Sequence, residues 1–265
     1  MKPPTLTPDS ARYLTVRTPP APFHLRVLIP WLCGHSAIRW YVATWVGSAL
    51  IALGTALMAP GWPGIAAAAL VLALPSVRFS LSHVVLVDMA ALGLATTSAG
   101  LAVHGWIIPA LIVALLAGAA KETAPVFAAL FAWNPLLLVG LVVPAIVKLV
   151  RTPGTDVLNE PEHAWILAHP IQAGRKYHHR MVVDAMPVLL TPWGACILAL
   201  GAPSLQLGAT LVVAYGQLFV ATDTVRLYQW AAPVVAVSAT SAVDPRWWPL
   251  MVLVTLFNPF RGDGV

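Results

Sequence analysis

Long uncharged apolar stretches alternate with short polar breaks along the whole chain. Residues 40–77, 89–120, 123–147, 185–222 and 227–243 contain no Asp, Glu, Lys or Arg. A spanning helix needs roughly 20 apolar residues. Stretches this long and numerous predict an all-α fold, a polytopic transmembrane helical bundle of roughly eight to ten helices, several short or broken. The first span is read at 37–59 and ends in the turn Pro60-Gly-Trp-Pro-Gly64. A shorter run, 65–74, stops at Pro75. The polar patch Ser76–His83 then leads into 84–103, which contains Asp88. His104-Gly105 breaks the pattern, and 106–120 runs up to Lys121-Glu122. The runs 123–133 and 135–150, split by Asn134-Pro135, are each short for a perpendicular span. They read as a broken helix, a re-entrant pair, or a tilted span plus a surface helix. Further runs lie at 186–200, 205–221, 227–243 and 247–257.

These runs divide the chain into a polar N-terminal arm (1–36), a first half of membrane helices (37–150), a polar loop (151–183), a second half (184–260) and a tail (261–265). The arm is rich in proline and carries no apolar core near its start, so the first span is expected to act as the insertion signal. Phe23–Trp31 reads as an interfacial approach, with Trp31 and Trp40 as anchors. Lys148, Arg151, Arg175, Lys176 and Arg180 would place the loop in the cytoplasm. The arm is basic as well, with Lys2, Arg12, Arg17 and Arg26, so orientation stays open. No internal repeat is evident, which weakens a transporter built on inverted repeats.

Composition narrows the class. The chain of 265 residues is 59% hydrophobic and 9% charged, against about 25% charged in soluble domains. The net charge of +5 suits an anionic membrane face, and no basic run interleaved with aromatics suggests nucleic acid. The lipid bilayer is the expected partner, and the oligomeric state is not indicated. Cys33 and Cys196 stand far apart in apolar surroundings and read as two buried free thiols.

The few ionisable residues among apolar neighbours are the candidates for chemistry, because a charge at membrane depth is expensive. Asp88 reads either as a helix-terminal carboxylate, paired with Arg78 or facing headgroups, or as a carboxylate in a polar cavity. Lys121-Glu122 reads as a loop with snorkelling side chains, or as a helix start where Glu122 is favoured and Lys121 holds an anionic phosphate. Asp223 and Arg226, at i and i+3, form a mutual pair or line a cleft. His163, His169, His178 and His179 fit no standard metal-ligand spacing. Serine-hydrolase, P-loop and dinucleotide fingerprints are absent.

Taken together, several patches resemble GT-C-type polytopic membrane glycosyltransferases. Asp9-x-x-Arg12-Tyr13, followed by Pro22-Phe-His24-Leu-Arg26-x-Leu-x-Pro30, is similar to their first extracytoplasmic loop. Val87-Asp88-Met-Ala resembles an intramembrane Asp, Lys121-Glu122-Thr-Ala their "KET" turn, and Asp223-x-x-Arg226 with Pro233 a late Asp/Arg helix. The resemblance implies transfer of a sugar from a polyprenyl-phosphate donor to a hydroxyl of an envelope acceptor, in a bacterial cytoplasmic (inner) membrane. It implies Asp9 as general base and Arg12, Arg26 and Lys121 as phosphate partners. Asp88 would join the catalytic centre or, with Asp223 and Arg226, shape its cavity. Tyr13, His24 and Glu122 would complete the substrate site. The class admits a divalent metal, but no ligand spacing here indicates one, and no cofactor is expected. The alternative is a non-enzymatic membrane protein, a small transporter or an envelope interaction factor of bacterial or phage origin.

Overall fold

The structure is a computed structural model that describes residues 25–83, 86–151, 165, 168–177, 191–219 and 228–258. It is all-helical, with no strand among the described residues. A short helix α1 (Leu28–Cys33) precedes α2 (Ala37–Met58), α3 (Trp62–Ala73), α4 (Pro75–Ser82), α5 (Asp88–Val103), α6 (Ile107–Ala120) and α7 (Ala124–Ala132). A 3-10 segment, Pro135–Leu141, continues into α8 (Val142–Val150). Then come α9 (Pro170–Tyr177), a second 3-10 segment (Thr191–Gly201), α10 (Leu205–Gly216), α11 (Ala232–Ala242) and α12 (Trp248–Leu256).

Local chemistry sets the boundaries. The Ser36 hydroxyl caps α2 by accepting from the Arg39 N–H at 3.4 Å. Gly61 follows α2 with φ +76°, a conformation glycine adopts without strain, and Pro63 opens α3. Leu74 is extended before Pro75, which bends α3 from α4 by 57°. Gly105 at φ +77° closes α5, and Trp133 at φ +51° closes α7 before the Asn134 side chain accepts from the Leu136 N–H at 3.0 Å.

The expected spans prove shorter than their apolar stretches. Among the described residues one helix, α2 with 22 residues, is long and apolar enough to cross a membrane, or two if the bent pair α3–α4 counts as one span. With 16 and 14 residues, α5 and α6 are about 24 and 21 Å long. The patch Ser76–His83, expected as a polar connection, is largely the helix α4. Within the run 186–200, the described residues from 191 onward belong to the 3-10 segment Thr191–Gly201, interrupted at Gly194.

Packing is set by small residues. Helices α2 and α5 run parallel and make the most extensive contact in the fold. A Cβ on Gly47 would lie 2.6 Å from Met89 backbone, one on Gly93 2.5 Å from the Gly47 carbonyl, and one on Gly100 2.6 Å from Leu57. A Cβ on Gly54 would overlap the Thr96–Thr97 peptide. Thr97 Oγ1 donates across this interface to the Leu50 carbonyl at 3.1 Å. Helix α6 returns antiparallel to α5, tied by Ser98 Oγ to the Ala110 carbonyl at 2.8 Å. The inward face of α2 is Trp40, Thr44, Gly47, Ser48, Ile51, Gly54 and Thr55, whereas Tyr41, Val42, Trp45, Val46 and Leu53 face outward. Apart from Trp40 and Ile51, the inward residues are small or carry a hydroxyl, and the large apolar residues point out.

The helix directions define two ends. Asp88, Lys121, Glu122 and Trp230 lie at one, and the starts of α3, α6 and α12 lie at the other. Trp62, Trp106 and Trp247, beside those helix starts, are exposed, as is Trp133 after α7. Trp31 is 78% exposed. Trp40 is not an anchor: it is fully buried, and its Nε1–H donates to the Gly34 carbonyl at 2.9 Å.

Gly54→Ala is expected to lower the melting temperature by several degrees, because overpacking costs ~1–3 kcal/mol. Gly208→Ala, where an added Cβ meets nothing within 4 Å, is expected to leave the melting temperature unchanged or slightly raised. A thermal-shift comparison in which the two behave alike would refute the close approach of α2 and α5.

Candidate functional site

Two ion pairs form at the end of the bundle where α5 begins and α6 finishes. Asp88 is the first residue of α5 and is fully buried. Lys121 caps the C-terminus of α6 with extended backbone, and its N–H donates to the Ala117 carbonyl at 2.9 Å. Because α5 and α6 are antiparallel, these two residues meet: Lys121 Nζ donates to Asp88 Oδ1 at 2.5 Å. Each charge also suits its own helix, a carboxylate at an N-terminus and an ammonium at a C-terminus. The Trp230 ring lies over the ammonium, its centroid 5.0 Å from Nζ, and is itself held 4.9 Å from the Phe127 ring.

The second pair brings in the approach to α1. The Val27 N–H donates to the Ala119 carbonyl at 2.9 Å, which lays residues 26–27 against the end of α6. Arg26 then reaches Glu122 as a fork, Nε to Oε2 at 3.2 Å and Nη2 to Oε1 at 3.1 Å. Arg26 is buried, and the Glu122 side chain keeps 22% of its exposure. Burial alone would raise the Glu122 carboxyl. The charge of Arg26, its hydrogen bonds and the nearby Lys121 outweigh this and hold the carboxyl below its ordinary value of 4.5.

Several buried polar atoms beside these pairs have no hydrogen-bond partner: Gln229 Nε2 and Oε1, Trp230 Nε1 and Thr123 Oγ1. Such groups carry a desolvation penalty of about 1–3 kcal/mol each when unmet. Gln229 and Trp230 fall within an apolar run, and nothing in the sequence singles them out.

The residues singled out from the sequence divide clearly. Arg26, Asp88, Lys121 and Glu122 converge, although 96 positions separate Arg26 from Glu122 and 33 separate Asp88 from Lys121. Asp88 takes Lys121 where Arg78 was one expected partner; Arg78 Nη2 donates instead to the Asn258 carbonyl at 3.3 Å. Lys121 does not snorkel outward but is buried. Asp9, Arg12, Tyr13, His24, Asp223 and Arg226 lie outside the described residues, as do His163, His178 and His179. Among the described residues no group of three or more His, Cys, Asp or Glu is placed to hold a metal ion. Cys33 and Cys196 are free and buried, and burial pushes the Cys33 thiol up to about 11, against a smaller opposing effect of Arg39. Comparison with family models, curated proteins and solved structures finds no match.

Breaking a buried pair from one side strands the other charge, at a cost of about 3–5 kcal/mol. Asp88→Asn and Lys121→Met are each expected to lower the melting temperature sharply, and the double variant to recover much of the loss. Losses that simply add in the double variant would show that the residues are not coupled.

The depressed Glu122 carboxyl gives a second expectation. Its stabilising contribution is present above the ordinary value of 4.5 and is lost as pH falls through the lower folded value. The melting-temperature gap between wild type and Glu122→Gln should be constant above the ordinary value of 4.5 and close as pH falls through the lower folded value. A gap that persists unchanged in acid would exclude an ionised Glu122 as the cause.

Proposed function

We propose that this chain is a polytopic protein of a bacterial inner membrane and that its charged end handles a phosphate-bearing lipid. The observation that carries the membrane reading is the reversed polarity of α2 and α6, which flank the buried α5. Gly, Ala, Ser and Thr pack inside, and Ile38, Val42, Trp45, Leu53, Ile108 and Ile112 cover the outside. In water that exterior would be a large apolar patch; in lipid it is the expected surface. The exposed tryptophans at the end opposite the charges fit an interfacial belt. The remaining short helices would be accommodated as broken or tilted spans, with local thinning of the bilayer.

The activity we favour is transfer of a sugar from a polyprenyl-phosphate donor to an envelope acceptor. Its support is the contact of Arg26 with the Lys121-Glu122 turn, which joins two of the motif fragments that resemble membrane glycosyltransferases. The unmatched polar atoms of Gln229, Trp230 and Thr123 add capacity for hydroxyl groups beside that contact. In this reading Asp9 takes the acceptor proton, and Arg12 and Lys121 stabilise the departing phosphate. A second reading, a non-enzymatic envelope protein, is favoured by one observation: Arg26, Glu122, Lys121 and Asp88 are all engaged in ion pairs.

Two measurements test these readings in turn. Membranes from expressing cells, washed in alkaline carbonate, should retain the chain; release into the supernatant would sink the membrane reading. Purified protein should then transfer sugar from a polyprenyl-phosphate donor, and Asp9→Ala should lower the rate by at least about 100-fold, the scale of general-base catalysis. An inactive wild type, or an Asp9→Ala variant as active as wild type, would put the non-enzymatic reading first.

A further inference from the structure

Beside the charged end, α1, α2, α5 and α6 enclose a groove of about 520 Å³, within the roughly 300–1,000 Å³ range of small-molecule sites. Leu28, Leu32, Val42, Val46, Leu94 and Leu116 line it, and its one charged residue is Arg39. Arg39 is exposed, in the first turn of α2, and makes no ion pair with any described residue. Its setting differs from that of Arg26 and Lys121, whose charges meet Glu122 and Asp88.

We propose that this groove holds the acyl chain of an anionic phospholipid, with the lipid phosphate on Arg39. The inference rests on the membrane reading above but not on the enzymatic one. The occupant follows from complementarity. A lining that is apolar apart from Arg39 rejects a polar ligand, and a neutral apolar one would leave the guanidinium without a partner. A phosphodiester with a hydrocarbon tail meets both requirements. The N-terminus of α2 adds partial positive charge beside Arg39. The exposed side chains of Trp31 and Ile38 flank the same end of α2, at the level where a headgroup and its first methylenes would lie. The site is thus a fixed lipid position on α2, separate from the paired charges of the candidate active end.

The test is native mass spectrometry of the full chain in detergent, with equimolar phosphatidylglycerol and phosphatidylcholine of identical chains. Wild type should retain phosphatidylglycerol about fivefold over phosphatidylcholine, the scale of one basic residue at an anionic surface. Arg39→Gln should abolish that preference, and Ala43→Phe, which fills the groove, should reduce retention of both lipids. Arg39→Gln replaces an exposed side chain, so its fold can be verified by an unchanged melting temperature. Retention without headgroup preference, or a preference that survives Arg39→Gln, would overturn the proposal. So would displacement of phosphatidylglycerol by millimolar inorganic phosphate, since the site would then read phosphate without the tail. A failed membrane reading shows itself earlier and differently, as a chain released by carbonate washing.

Discussion

The close approach of α2 and α5 is the constraint on which the remaining structure depends. Glycines seven residues apart, Gly47 and Gly54 on one helix and Gly93 and Gly100 on the other, let the two backbones touch. Nothing larger fits at these positions. Contact at this range replaces side-chain interdigitation with backbone dispersion and hydroxyl bonds such as Thr97 to the Leu50 carbonyl. It fixes the axial register of α5 against α2, and so fixes where Asp88 starts. Helix α6 inherits that register through Ser98 and Ala110. The charged end is assembled at the edge of this three-helix frame.

At that edge the electrostatics are cooperative. An antiparallel pair of helices places one positive and one negative dipole end side by side, and Asp88 and Lys121 complement both. The pair therefore satisfies two helix termini and two side-chain charges at once, which helps an ion pair so deeply buried to offset its desolvation. Arg26 and Glu122 extend the same arrangement outward, with more exposure and a geometry matched in shape as well as charge. Trp230 covers the ammonium and links this frame to α11. Pairing of these charges also argues that, in an enzyme, they organise the site rather than supply its base.

The sequence pattern locates the breaks between elements better than the elements themselves. Helix α2 was expected over 37–59 and is found at Ala37–Met58, because Pro60 and Gly61 leave little choice. Asn134-Pro135, His104-Gly105 and Lys121 also end helices where expected. Helix α4 was not legible, since Ser76 and Ser80 look solvent-directed in sequence yet are buried. Helix α5 begins at Asp88, four residues later than the apolar run suggests, since Val84–Val87 are as apolar as the residues that follow. Of the candidate site, the ionisable residues at the ends of apolar runs were legible because their surroundings make charge costly. Their pairing was not, because partner choice depends on helix direction and register. Trp40 shows the limit well. As a tryptophan near the start of a span it reads as an anchor, but the turn at Gly34 brings a carbonyl to its indole N–H and draws the ring inside.

Under the proposed membrane reading, helix length sets the depth of the charged end. Helix α2 spans about 33 Å, enough for a hydrocarbon core of about 30 Å. Its parallel neighbour α5 is shorter by six residues, and the contacts of Gly47 with Met89 and of Gly100 with Leu57 hold it level with the C-terminal two-thirds of α2. Asp88 therefore starts a little over two turns below the N-terminus of α2, next to the third turn of that helix rather than its first. The N-terminal approach folds down to meet it, as Val27 on Ala119 records. In the proposed membrane reading the charged end lies below the bilayer surface, alongside α2. Unpaired charges there would be costly, so that depth and the ion pairing are two sides of one constraint. A lipid phosphate entering there would meet cations whose present partners are carboxylates, and binding would proceed by exchange of one anion for another.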